Sequence, residues 1–343
     1  MNEFLRSQYA RVGPPKRLDE LGRVHAAGAG AANFGIAIPA LALAPPGATV
    51  AEVAPHLLDA EPRDAALWPT LFRLWPDWRW GIQPTGDCTR WMQQHLLDVL
   101  HAVLWHNASI GRPEARVAGE SIYATAKHEL YGRYGYDGAG STGWAVATAA
   151  VRYGFLLRKK YEVAGKTYDL RFDHDDRHKN TWSITWGDRD AARVGLPDEL
   201  EPLAAEHKAR DRVLVETPEQ SGKLIQAGYA TQYCGYTYWA MQRGDDGMGT
   251  RFSAGWHALT ATGVRWNPDG TVRALWIANT GHGDHVSGPV GPIDVPDVYA
   301  ACGSWVPRRL LDRVYAAGDC HAHTFVDGWP VHDLVDWQTH DYL

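Results

Sequence analysis

The sequence predicts an α+β protein: a helical half, then an antiparallel sheet half, with a cleft between them. Three observations carry this. From Cys88 onward the apolar residues Trp91, Met92, Leu96, Leu97, Leu100, Val103 and Leu104 recur mostly at spacings of three and four, the period of a buried amphipathic helix. After Thr231 the pattern changes to aromatic-rich, partly alternating segments at 231–240, 253–263 and 271–279, the last two joined by the turn sequence Asn267-Pro-Asp-Gly270. A chain of 343 residues that is 45% apolar has enough material for a substantial core, in one large domain or two.

Charge narrows the function classes. A net charge of −6 with scattered basic residues offers no polyanion-binding surface, so nucleic acid is not an expected partner. The longest basic run, Arg158-Lys159-Lys160, reads as a solvated loop or strand end.

Residues 1–65 read as an extended N-terminal arm that packs on this domain or on a neighbour, and so offers a surface to structural protein partners. Met1 to Arg23 is polar and charged; Ala26 to Ala44 is uncharged and rich in Ala and Gly, but Pro39 interrupts it and Pro45-Pro46 ends it. A signal peptide would place its basic region and apolar stretch at the start, and as a membrane span the stretch is Gly/Pro-broken and only weakly apolar, so no membrane is expected. The tryptophans of 67–80 read as packing.

The turn Gln83-Pro-Thr-Gly-Asp-Cys88 then delivers a cysteine to the start of the helix, with Asp87 at its N-cap. The positive end of the macrodipole is expected to lower the thiol's pKa there. A second helix is expected over Ser121–Tyr131, a glycine-rich loop over Gly132–Gly143 and a third helix over Trp144–Tyr153. Tyr161 to Asp211 is polar, and its Asp173-His-Asp-Asp-Arg-His178 cluster reads as a solvated loop in preference to a cation site. Val213–Val215 is a short strand, and Thr217-Pro-Glu-Gln220 opens a helix with a capping-box pattern. Further on, Ser304 to Val314 reads as a short helix. Cys320, His321 and His323 are too tightly spaced for the usual zinc sites, and His282 and His285 read as loop residues, so neither metal nor cofactor is expected.

A hairpin across the Asn267–Gly270 turn can set His257 beside Asn279, an imidazole held in one tautomer by an amide. Cys88, His257 and Asn279 in that order resemble papain-like cysteine peptidases, in which His and Asn lie about 130–150 residues beyond the Cys. Both gaps are longer here, by roughly one insertion. Gln83 stands where that family has its oxyanion-hole glutamine, one residue closer to the cysteine than usual. Gly140-Ser-Thr-Gly-Trp144 looks like the start of the segment whose Gly-Gly pair binds extended substrate, with Gly140 and Ser141 on the pair. The similarity covers roughly residues 80 to 285. Two departures stand out. The family's Ser-Trp-Gly after the Asn, whose Trp shields the His–Asn bond, is replaced by Thr280-Gly281, so that shield is missing or comes from elsewhere, with Trp256 and Trp276 the candidates. The usual aromatic residue after the cysteine is Thr89.

The resemblance implies a papain-like peptidase domain over 66–288, with the N-terminal arm and a C-terminal extension, 289–343, packed on it. It implies hydrolysis of peptide or amide bonds. Cys88 is then the nucleophile, His257 its ion-pair partner and general acid, and Asn279 the orienter; Gln83 stabilises the oxyanion, and Gly140, Ser141 and Trp256 lie along a peptide or protein substrate. Peptidases of this family are commonly made with an inhibitory propeptide, whereas the arm here reads as one kept for assembly. Two other readings stand beside this one: a papain-like module kept as a structural component, since the sequence style looks similar to papain-like proteins of bacteriophages and environmental bacteria, and a hydrolase of cell-wall peptides. With Cys88 as nucleophile an odd three cysteines remain, Cys234, Cys302 and Cys320, which fits a reducing setting, cytoplasm or virion.

Overall fold

The computed structural model describes residues 47–83, 86–130, 140–174, 178–179, 181–186, 195–279, 286–291 and 295–337. Most of the expected arm, most of the glycine-rich loop, and Thr280, Gly281, His282 and His285 lie outside the described residues.

The apolar run forms the helix Cys88–His106, and this helix is buried from Cys88 through Leu104 rather than on one face. It lies between other helices and the sheet, so its polar residues Arg90, Gln93, Gln94, His95 and Asp98 are inside as well and must find partners there. Its neighbours are the helix Trp68–Leu74, with Pro69 in its first turn, and Gly119–Thr125, which continues as a π-helical turn over Ala126–Leu130. The third helix, Gly143–Arg152, is capped twice. Thr142 Oγ1 accepts from Ala145 N (3.1 Å), and the Asp319 carboxylate accepts from Gly143 N (2.8 Å) and Trp144 N (2.7 Å).

The strands, in chain order, are β1 (Ala65–Ala66), β2 (Val117–Ala118), β3 (Leu156–Leu157), β4 (Lys160–Val163), β5 (Lys166–Asp169), β6 (Asp211–Leu214), β7 (Thr231–Arg243), β8 (Gly249–Trp266), β9 (Val272–Ala278), β10 (Gly303–Pro307) and β11 (His321–Thr324). Seven of them make one antiparallel sheet in the order β10-β9-β8-β7-β11-β6, with β1 on β8; β2–β3 and β4–β5 are separate pairs. The β8–β9 turn closes as its sequence requires. Gly270 donates to Asn267 O (3.0 Å) at φ +80°, a conformation glycine adopts without strain. The helix Pro218–Gln226 starts on Thr217, whose hydroxyl accepts from Gln220 N (3.1 Å), but Gln220 Oε1 reaches back one residue further than a capping box, to Glu216 N (2.7 Å).

Three expectations are corrected. Ser304–Pro307 is strand, not helix: it pairs with β9, setting Trp305 opposite Trp276, and only Arg308–Tyr315 is helical. Together with β11, which lies between β7 and β6, it makes the C-terminal segment part of the central sheet. The polar stretch after Tyr161 is not simply a solvated loop. It folds as the β4–β5 hairpin and short helices over a second small core of Tyr161, Tyr168, Leu170, Trp186, Leu196, Leu200 and Ala204. Finally, Arg158 and Asp173 are buried ion partners rather than solvated charges. Among the described residues no helix is long and apolar enough to cross a membrane.

Candidate active site

Cys88 is the first residue of its helix and Asp87 the N-cap, as expected. The Asp87 side chain does not cap the helix, however. Its Oδ2 accepts from Arg90 Nη1 instead (2.9 Å). The helix start abuts β8, where the Cys88 sulfur meets the backbone N–H of Ala258, one residue along the strand from His257. Across the β7–β8 ladder His257 stands opposite Gly235. Asn279 follows the last residue of β9 and is fixed by its N–H donating to Cys302 O (2.8 Å). From there its side chain meets His257: Nε2–H donates to Asn279 Oδ1 at 3.0 Å. That bond assigns the tautomer and makes Nδ1 the ring's proton-accepting nitrogen.

Electrostatics at Cys88 differ from the expectation. Burial pushes the thiol up from 9.0 to about 12, and the neighbouring Asp87 carboxylate adds to the shift; the N–H groups of Ala258, Thr89 and Cys88 pull the other way but do not outweigh them. Here desolvation of the thiolate exceeds the pull of the helix end. Asp87 itself is pushed up to about 6 by burial, held down in part by Arg90. Cys88 is 0% exposed, Gln83 1%, His257 1% and Asn279 4%, so all four are buried.

Gln83 is buried five residues before Cys88 in the chain. The segment leading to it is fixed from two sides: Ile82 N donates to His174 O (2.7 Å), and Gly81 lies so close to the Trp91 ring that a Cβ there would sit 1.9 Å from it. Gly140 and Ser141 are both buried. Gly140 is already engaged within the protein, its N–H donating to Tyr123 Oη (2.8 Å) and its carbonyl accepting from Lys127 Nζ (3.2 Å).

Among the described residues, the ring packed on His257 is neither Trp256 nor Trp276. Trp256 is half-buried edge-on to Tyr236 (6.0 Å, 88°), and Trp276 packs in the core with Trp68 and Trp305. Trp239 takes the position, its ring 5.1 Å from the imidazole at 67°. Its strand was legible as aromatic-rich, but which of its rings meets His257 was not. Asp319 was also missed: besides capping the Gly143–Arg152 helix it accepts from Cys234 Sγ (3.2 Å), and burial pushes it up to about 6. Cys320, His321 and His323 go to separate partners. Cys320 Sγ accepts from Cys234 N (3.4 Å), His323 Nε2 accepts from Gln93 Nε2 (2.9 Å), and His321 Nδ1 lies 3.4 Å from Arg212.

No protein-family model matches the chain, and no curated protein matches it. Among solved structures it is similar to xylellain, a cysteine protease from Xylella fastidiosa, at 13% identity over 86% of this chain and 96% of that one, with a TM-score of 0.52. It is also similar to procathepsin B S9 from Trypanosoma congolense, at 10% identity over 88% and 87% of the two chains, but the TM-score of 0.49 carries no argument. At such identities the likeness to xylellain shows the fold alone. The chain has the papain-like α+β fold.

Proposed function

We propose that this chain is a papain-like cysteine peptidase acting on peptide or protein amide bonds. The observation that carries the reading is the His257–Asn279 bond at 3.0 Å, beside a helix that begins with Cys88 against Ala258. In this reading Cys88 passes its proton to His257 Nδ1 and attacks the substrate carbonyl. The Gln83 amide and the Cys88 N–H receive the oxyanion. His257 then gives the proton to the departing amine, leaving a thioester. Water, deprotonated by the same imidazole, releases the acid and restores the thiol. Asn279 keeps the ring in one tautomer throughout, and Trp239 keeps water from their bond.

A second reading, a papain-like module kept as a structural component, in a phage particle or elsewhere, is favoured by the complete burial of Cys88 and its raised thiol. Thiol labelling separates the two. With iodoacetamide or an epoxide probe, followed by mass spectrometry, the peptidase reading expects Cys88 to label faster than Cys234, Cys302 and Cys320, and to lose that advantage in His257→Ala. Labelling of Cys88 no faster than the others, or indifferent to His257, supports the structural module.

A further inference from the structure

A chain of buried charges joins the two segments that carry the proposed oxyanion donors. At one end Asp87, which immediately precedes Cys88, accepts from Arg90 Nη1 (2.9 Å). Arg90 Nη2 reaches Glu120 Oε2 at 3.3 Å. Glu120 takes both arms of the Arg158 guanidinium, Nη1 to Oε1 (2.7 Å) and Nη2 to Oε2 (2.8 Å). Arg158 Nη2 also meets Asp173 Oδ1 at 2.5 Å, and Asp173 accepts further from Arg116 Nη2 (2.8 Å) and Gln94 Nε2 (3.0 Å). The next residue, His174, accepts the Ile82 N–H, and Gln83 follows Ile82 in the chain. Signs alternate along the whole chain, and every member from Asp87 to Asp173 is 5% exposed or less.

Such a network is a poor way to gain stability, because desolvating the ions offsets most of their attraction. It is a good way to fix geometry, since bidentate guanidinium–carboxylate pairs tolerate little displacement. The charges are retained in spite of burial: burial pushes Glu120 and Asp173 up, but Arg158 with Arg90 at the first, and Arg158 with Arg116 at the second, hold both below the ordinary carboxylate range. Its two ends meet the chain at Cys88 and at Ile82–Gln83.

We propose that this charge chain is the frame that sets the spacing between Gln83 and the Cys88 N–H, with Asp173 as a positioning residue for Gln83. The inference rests on the peptidase reading, which makes those two groups the oxyanion donors. It also gives the stretch after Tyr161 a task, since Asp173 and His174 belong to it.

The test uses two reagents that differ in their need for an oxyanion site. p-Nitrophenyl acetate acylates a cysteine through a tetrahedral oxyanion and releases nitrophenolate; iodoacetamide alkylates by displacement of iodide and forms none. Asp173→Asn is expected to slow acylation of Cys88 about tenfold or more, as a small misplacement does, and to leave alkylation within about twofold of the parent. In a Gln83→Ala background the same change is expected to cause no further loss. Amide exchange at Ile82 should quicken while the interior of the Cys88–His106 helix stays protected. Losses that multiply in the double variant, alkylation that falls in step with acylation, or unchanged exchange at Ile82 each overturn the proposal. If Asp173→Asn does not fold, Arg116→Gln takes its place, because it removes one of the guanidiniums on Asp173 from a partly exposed position. A parent protein with no His257-dependent labelling defeats the peptidase reading instead, and exchange at Ile82 still reports whether the charge chain holds the Ile82–Gln83 segment.

Discussion

Cys88 shows two opposed effects on one side chain. Its position at a helix N-terminus favours thiolate, and its burial beside Asp87 favours thiol. Burial is the larger cause and Asp87 the next, which makes the second separable by mutation. Asp87→Asn keeps the shape and an acceptor for Arg90 but removes the charge. Iodoacetamide labelling of Cys88 should therefore be faster in the variant at pH 8, where Asp87 is ionised. As the pH falls through about 6, where Asp87 takes up its own proton, the two rates should converge. A rate ratio that stays constant from pH 8 to pH 5 would show that the Asp87 charge does not act on the thiol. At this scale much of the site was legible. His257 and Asn279 could be paired in advance because the Asn-Pro-Asp-Gly turn sets a hairpin and therefore a neighbourhood. Trp239 could not, because its approach to His257 depends on how β7 lies against β8, and local sequence does not encode that. The raised thiol was not legible either, since a helix end is visible in a sequence and the walls that close over it are not.

Elements were legible in proportion to how much of their burial came from their own pattern. The Cys88–His106 helix and the β7–β8–β9 strands announce themselves by period. Ser304–Pro307 does not; it is strand because β9 offers it an edge and Trp276 a partner for Trp305. The stretch after Tyr161 hides a core whose few apolar residues are spread along polar chain. Another device at this scale is Arg243, at the end of β7. Its guanidinium donates to the carbonyls of Gly288 (2.8 and 3.2 Å), Ala300 (2.6 Å), Gly303 (2.7 Å) and Val286 (3.3 Å), stapling the segment that returns from the Asn279 end of β9 to β10. Arg243→Met fills similar volume but orphans those carbonyls, at a cost of about 3 kcal/mol or more. Thermal unfolding should shift down accordingly. Amide exchange should rise first over 286–303, and Arg243→Lys, with a point charge in place of a five-donor fork, should recover only part of the loss. Exchange that rises evenly over the whole sheet would argue against a local staple.

For the whole molecule, buried titratable groups of opposite kinds set the response to acid. Burial pushes His95 down to about 3, His323 to about 3 and His101, with help from His207, to about 4. Burial pushes Asp87 and Asp319 up to about 6 and Asp98 to about 7. The signs oppose. For each histidine the unfolded chain binds a proton below its ordinary 6.5 that the folded chain refuses until about 3–4, so stability is complete above 6.5 and is lost as the pH falls. For each aspartic acid the folded chain keeps a proton that the unfolded chain gives up above 3.8, so stability is greatest in acid and is lost as the pH rises through about 6–7. Removing one histidine should therefore tilt the balance toward acid tolerance. His101 suits the test, because its ring stacks on Phe325 (4.8 Å, 12°) with Phe155 alongside (5.9 Å), contacts that a phenyl ring can keep. His101→Phe should be nearly neutral at pH 7 and should gain about 2 kcal/mol over the parent at pH 4.5, a rise of a few degrees in melting temperature confined to the acid side. Equal gains at both pH values would mean that the phenyl ring merely packs better and that the proton His101 refuses plays no part in acid unfolding.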